Sequence, residues 1–301
     1  MADPARIAHL RGLEAHLRAN IRGQDHLLPR IAASFARGAI GIVSPDRPRG
    51  SLLFVGPTGT GKTETFLRAT EYVFGPGHLV SFDMSEYQDR SAVNKLLGED
   101  RGDMGLMGRA LTAVKSGGVL FDEVEKAHPL VLDLFLQILW QGRITVATGE
   151  VFRFGGYFVG FTSNIGAAEA MRMEHLRLAS VEQTTLRRVE QELRPELVGR
   201  IDEKLVFARL GPDVQREICA LEVARETARL RAVGFDLEVS HEALEFLIRE
   251  GFHSLHGARP LRKVVERHLQ DAVVRDLFAT GCGCGRIMKT EGARRLMVVQ
   301  P

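Results

Sequence analysis

Cysteine is scarce in this chain, neither sign of charge dominates, and no long apolar run occurs. Of its 3 cysteines, Cys219 stands alone in a helical pattern, while Cys282 and Cys284 sit in a glycine-rich turn. Two thiols with no His or Cys nearby cannot complete a tetrahedral zinc site, so the pair reads as incidental. The 40 basic and 38 acidic residues leave a net charge of +2, which gives no global case for nucleic acid; the arginines between Arg6 and Arg22 read as a solvated helix face. No run approaches the roughly 18 apolar residues of a membrane span, and Met1-Ala2-Asp3-Pro4 lacks the charged and apolar regions of a secretion signal. A cytoplasmic location without membrane contact is therefore expected. Repeats and low-complexity blocks are absent as well. What remains, 45% hydrophobic and 26% charged over 301 residues, is the ordinary composition of one or two globular domains.

The most informative segment is Gly56-Pro57-Thr58-Gly59-Thr60-Gly61-Lys62-Thr63. It follows the apolar run Ser51 to Val55 and opens the amphipathic stretch that begins at Glu64, itself expected among the nucleotide-binding residues. A strand, a glycine loop and a helix in that order form a phosphate cradle: backbone N–H groups point inward, Lys62 reaches the β- and γ-phosphates, and the Thr63 hydroxyl is placed to hold Mg²⁺. ATP with Mg²⁺ is the expected ligand pair.

Gly118 to Phe121 is a second short apolar run, ending in Asp122-Glu123. The C-terminal end of a buried parallel strand opens into the ligand crevice, which puts Asp122 near the metal ion and Glu123 beside the attacking water. Successive strand-end residues point in different directions, so the two acids can hold separate roles. A pair of merely solvated acids is the alternative.

Further strand-like runs are His78 to Phe82, Tyr157 to Phe161 and Lys204 to Phe207. With the two above they make five strands separated by helical segments, the pattern of a parallel α/β sheet with helices on both faces. Leu13 to Ile42 has helical periodicity broken at Gly23. After Leu210-Gly211-Pro212-Asp213 the pattern turns helical, at Val214 to Val233, His241 to Glu250 and Pro260 to Ala279, and closes with a hairpin of Arg286 to Thr290 and Arg294 to Val299 joined through Glu291-Gly292-Ala293. The expectation is a nucleotide-binding domain over residues 1–209 and a smaller, mainly helical domain over 210–301.

Several motifs in order, Ile21 to Asp25, the phosphate loop, Asp83 to Tyr87, Leu120 to Pro129, Thr162 to Gly166, Leu193 to Glu203 and Gly257 to Leu261, resemble the C-terminal ATPase module of Clp chaperones such as ClpA and ClpB. The resemblance covers residues 10 to 300 and implies a lone AAA+ module. It implies roles that spacing does not: Asn164 as an amide orienting the water, Arg200 as an arginine finger reaching the neighbouring subunit's nucleotide, and Arg259 as a second sensor on the small domain. From the residues alone, Asn164 reads more readily as a turn amide and Arg200 as a surface arginine. Ile21, Arg22 and Ile218 match positions around adenine, though they could equally be core.

At several positions the chain departs from that family. Gly102-Asp103-Met104-Gly105 stands where a pore loop carries an aromatic residue, so threading of arbitrary polypeptides is in doubt; Met104 and Leu106 could offer apolar contact. Trp140 replaces an acid, Gly155 replaces an arginine, and no Ile-Gly-Phe or Ile-Gly-Leu tripeptide follows Asn164, so a ClpP-type protease is not expected. The resulting expectation is a ring-forming ATPase, a hexamer of itself, that remodels or disassembles a specific protein partner. Alternatives are an ATP-dependent assembly scaffold and, less favoured because of Asp103, a nucleic-acid loader.

Overall fold

The computed structural model describes residues 3–172, 177–253, 257–290 and 295–300. The chain forms two compact units, Met1–Pro57 with Gly61–Arg209, and Thr58–Thr60 with Leu210–Pro301. In the first, helices α1 (Pro4–Arg11), α2 (Leu13–Asn20) and α3 (Leu28–Ile40) precede β1 (Gly50–Val55) and α4 (Lys62–Phe74). Next come β2 (Leu79–Asp83), α5 (Ala92–Leu97), α6 (Gly105–Ala113), β3 (Gly117–Asp122) and α7 (Pro129–Gln141). The short hairpin of β4 (Arg143–Thr145) and β5 (Val151–Arg153) leads to β6 (Tyr157–Ser163). Helices α8 (Ala167–Arg172), α9 (Leu178–Glu192) and α10 (Pro195–Arg200) and strand β7 (Glu203–Val206) complete the unit.

The five strands expected from the sequence form one parallel sheet in the order β2-β3-β6-β1-β7. In its central strands successive side chains go to opposite faces, as a residue period of two requires. Leu52, Phe54, Leu120 and Phe158 join one core cluster with Leu17, Phe35 and Phe66, while Leu53, Val55, Phe121 and Phe161 join another with Phe135 and Ile138. Both faces are thus apolar and both must be covered by helices, which is why these strands read as continuous hydrophobic runs. Aromatic rings fill much of the space: the Phe121 centroid lies 4.4 Å from that of Phe135 and 5.5 Å from that of Phe161. The chain leaves β1 toward the β2 edge, while β7 lies on the other flank, so the crevice opens beyond the carboxyl end of β1.

The second unit holds α11 (Pro212–Ala232), β8 (Leu237–Val239), α12 (His241–Gly251), α13 (Leu261–Thr280), β9 (Gly285–Lys289) and β10 (Leu296–Val299). The expected hairpin pairs Leu296 with Lys289 and Val299 with Arg286; its connection through Glu291-Gly292-Ala293 lies outside the described residues. A third strand, β8, pairs parallel to β9. Three residues are too few to show a period, so β8 left no pattern in the sequence. Among the described residues no helix is long and apolar enough to cross a membrane.

Candidate functional site

Beyond Val55 the chain turns through Gly56 to Gly61 and enters α4 at Lys62. Gly61 takes the left-handed conformation, φ 97°, and no heavy atom lies within 4 Å of where a Cβ would stand. Only glycine reaches that conformation without strain, and the side it leaves open is where a phosphate would sit. Lys62 is 7% exposed. Its Nζ donates to the carbonyls of Gly56 at 2.6 Å and Pro57 at 2.9 Å and to Asn164 Oδ1 at 3.0 Å. Burial pushes its pKa down to about 8, opposed by the charges of Asp122, Glu125 and Glu123 in that order. Thr63 is exposed in the first turn of α4. The Glu64 carboxylate turns along the helix to Arg68, at 2.7 Å.

Parallel pairing sets Val55 against Ser163 and Phe121 against Phe161, so the ends of β1, β3 and β6 emerge at one edge. Thr162, fully buried, ties the acidic strand end together: its hydroxyl donates to Asp122 Oδ1 and accepts the Glu123 N–H at 3.0 Å. Glu123 has φ 55°, and among the described residues it is the one non-glycine with positive φ. Such strain costs on the order of 1–3 kcal/mol and persists only where surrounding contacts impose it. Here they are the Thr162 hydroxyl, Asn164 Nδ2 donating to Oε1 at 3.1 Å, and Lys126 paired with Oε2. Glu125 accepts the Asn164 N–H at 3.0 Å through Oε1, and its buried Oε2 has no hydrogen-bond partner among the described residues.

Asn164 therefore links the phosphate loop to the acidic strand, accepting from Lys62 and donating to Glu123. Thr162, Glu125 and Lys126 were not singled out by the sequence reading. They lie inside motifs it did mark, and only strand pairing shows what they touch.

Arg200 ends α10 and makes its contacts on α7: Nη1 lies 3.5 Å from the Leu136 carbonyl oxygen, and its guanidinium carbon 4.6 Å from the centroid of the Trp140 ring. Arg259 is exposed in the second unit. There Pro260 caps α13: its carbonyl accepts the first helical bond, from Val264 N at 3.1 Å. Ile21 is buried in the core with Leu17 and Phe54, Arg22 bonds back to the carbonyls of Arg18 and Ile21, and Ile218 packs on the core of the second unit. Asp103 is no free acid: Oδ1 accepts the Gly105 N–H at 2.9 Å and pairs with Arg109 Nη2 at 2.9 Å. Met104 packs against the core, whereas Leu106 is exposed.

A glycine loop between a buried strand and a helix, facing two acids and an amide on neighbouring strands, defines a P-loop nucleoside-triphosphate module. The family model described as "AAA domain (Cdc48 subfamily)" matches residues 47–204, and that for the "C-terminal, D2-small domain, of ClpB protein" matches residues 210–282. The chain is 37% identical over 290 residues to a probable chaperone protein ClpB 1 of Chlorobaculum tepidum, covering 91% of this chain and 66% of that protein. It is 35% identical over 274 residues to chaperone protein ClpB 2 of a Nostoc species, covering 88% of this chain and 31% of the relative. It is also 35% identical over 288 residues to an ATP-dependent Clp protease ATP-binding subunit ClpA homolog of Porphyra purpurea, covering 89% of this chain and 35% of the relative. The chain belongs to the AAA family, as an ATPase module related to the ClpB and ClpA chaperones. It spans about a third of the length of two of these three relatives.

Proposed function

We propose that this chain hydrolyses ATP within a ring of its own copies and uses the cycle to remodel or disassemble a specific protein partner. The observation that carries the reading is the Asn164 carboxamide, 3.0 Å from Lys62 Nζ and 3.1 Å from Glu123 Oε1. One side chain there joins the group that would hold the γ-phosphate to the group that would activate water. In this reading Gly56, Pro57, Thr58, Gly59, Thr60, Gly61, Lys62 and Thr63 hold the phosphates, Glu123 is the general base, and Asn164 orients the water. Arg200 serves a neighbouring copy's nucleotide, Arg259 senses nucleotide from the second unit, and Ile21, Arg22 and Ile218 lie toward adenine. Residues 1–209 form the nucleotide domain and 210–301 the lid.

The open Gly61 side and the buried ammonium beside it fit a triphosphate. The exposed Thr63 hydroxyl and the Asp122 carboxylate are hard oxygen donors suited to Mg²⁺. Bound there, Mg²⁺ would supply neutralising charge at the phosphate oxygens. The chain's own contribution is geometric. Thr162 and Lys126 keep Glu123 in its strained conformation, and Glu125 holds the Asn164 backbone.

Glu123→Gln should keep ATP affinity while turnover falls by about 10² or more, the usual range for losing a general base. Lys62→Ala should abolish binding. A Glu123→Gln variant loaded with ATP should then retain the partner in a pull-down. Wild-type turnover by Glu123→Gln would remove the assignment.

A second reading, a ring that acts as an assembly scaffold without threading, is favoured by the loop at Asp103. Its carboxylate is spent on Gly105 and Arg109, and no aromatic residue stands there to grip a chain. ATP-driven loss of fluorescence from a stably folded tagged reporter separates the two. Unfolding at rates typical of chaperone relatives would exclude the scaffold.

A further inference from the structure

Trp140 is the chain's single tryptophan and is 57% exposed, in the last turn of α7. Two guanidinium groups gather on it: the Arg200 carbon lies 4.6 Å and the Arg47 carbon 5.5 Å from the ring centroid. Leu136, whose carbonyl oxygen is 3.5 Å from Arg200 Nη1, precedes Trp140 by four residues. Residues so spaced share one helix face, so carbonyl and ring flank the same guanidinium. Among the described residues neither Arg47 nor Arg200 has a carboxylate partner. Both line a cavity of about 250 Å³ together with Arg49 and Arg37. Arg37 is paired with Glu203 at 3.1 Å. Asp202, the one acid among the described residues lining the cavity, accepts from the N–H and hydroxyl of Ser51 at 2.8 and 2.7 Å.

The loop that brings Arg47 to the ring is admitted by two positions without side chains. A Cβ on Gly155 would stand 2.5 Å from the Pro45 carbonyl oxygen, and one on Gly142, whose φ is 59°, would stand 2.1 Å from that of Asp46. Trp140 and Gly155, two places where this sequence departs from the Clp pattern, thus meet in one arrangement. A carboxylate at Trp140 would engage the guanidinium N–H groups in a fork. A ring face holds the cation through its π-system and leaves the in-plane donors open for phosphate oxygens. Among the described residues Arg47 and Arg200 have no carboxylate counter-ion, which suits the cavity to an external anion.

We propose that Trp140 is a positioning residue that holds Arg200 ready for the triphosphate bound by a second copy of this chain, with Arg47 as a second guanidinium for the same anion. The proposal rests on the reading of Arg200 as acting between subunits.

The test compares Trp140→Ala, Trp140→Phe and Arg200→Ala by steady-state ATP hydrolysis at a subunit concentration that supports full wild-type turnover. Trp140→Ala should lower kcat by roughly two- to thirty-fold, the range of an exposed to a desolvated cation–π contact, with KM for ATP little changed. Trp140→Phe, which keeps a ring face, should recover most of the loss. Because no other tryptophan is present, selectively excited indole emission reports this site alone. It should change when a non-hydrolysable ATP analogue is added to assembled wild-type protein and stay unchanged in Lys62→Ala. If Arg200→Ala is inactive while Trp140→Ala turns over at the wild-type rate or faster, the positioning role falls and the Arg200 reading stands. If Arg200→Ala itself keeps full turnover, both fall together.

Discussion

A carboxamide offers an acceptor and a donor on one planar group, and Asn164 uses both, toward Lys62 and toward Glu123. An acid in its place would add charge beside Glu123, and a hydroxyl could not span the two partners. Thr162 acts similarly on the acidic strand end, where it meets Asp122 and the Glu123 N–H. Thr162→Val preserves shape and removes both bonds. Turnover should fall roughly 10- to 100-fold, as for other groups that orient metal or catalytic ligands, with the fold intact by circular dichroism; unchanged kcat would show that Glu123 is held by Asn164 and Lys126 alone. A different residue-scale outcome concerns the thiols. Burial, reinforced by Glu245 and Glu222, pushes the Cys219 pKa up to about 12. At pH 8 it is a neutral thiol shielded from reagents. Mass spectrometry after maleimide treatment should show Cys282 labelled in the native protein and Cys219 only after denaturation. Rapid native labelling of Cys219 would contradict its burial.

The elements matter through what their ends carry. β1, β3 and β6 are apolar on both faces through their centres, and β3 and β6 carry Asp122, Thr162 and Ser163 at their carboxyl ends. Fixing Asn164 against Glu123 therefore depends on register, and register depends on the rings packed between strands and helices. Phe121 is fully buried against Phe82, Phe135 and Phe161. Phe121→Ala should destabilise the first unit by about 3–5 kcal/mol, the usual cost of removing a buried aromatic ring. The check is a urea titration, in which the midpoint should fall while the slope stays constant. A loss below about 1 kcal/mol would mean that neighbours collapse into the space.

At the scale of the whole molecule, the proposed base, orienting amide and phosphate ligands lie around Lys62, whereas Arg200 makes its contacts on α7. If Arg200 completes a neighbouring site, isolated subunits are catalytically incomplete. Specific activity should rise with protein concentration in the range where sedimentation shows assembly, and Arg200→Ala subunits should depress wild-type subunits on mixing. Fingers of this kind contribute on the order of 10³–10⁵ in rate, so a small mutant fraction should have a visible effect. Activity independent of dilution, in a protein that sediments as a monomer throughout, would refute the ring.

The strands, most of the helices and the phosphate loop could be read from the chain itself, because each is written in neighbouring residues: apolar runs between glycines, a 3.6-residue period, and Gly56 to Thr63 at the junction. The proposals for Glu123 and Lys62 rest on the same local pattern. The three-residue β8, the capping of α13 by Pro260 and the β4–β5 hairpin were not apparent, since short elements carry too little periodicity. Contacts across the sheet were hidden for another reason. That Thr162 meets Asp122, that Glu125 holds the Asn164 backbone, and that Asp103 is neutralised by Arg109 depend on where separated segments are set side by side. Strand register and helix packing fix that placement, and they arise from burial summed over the whole core. Trp140 is the clearest case: as a letter it was only an exchanged acid, and its meeting with Arg47 and Arg200 required a loop, two helix ends and two glycines to converge.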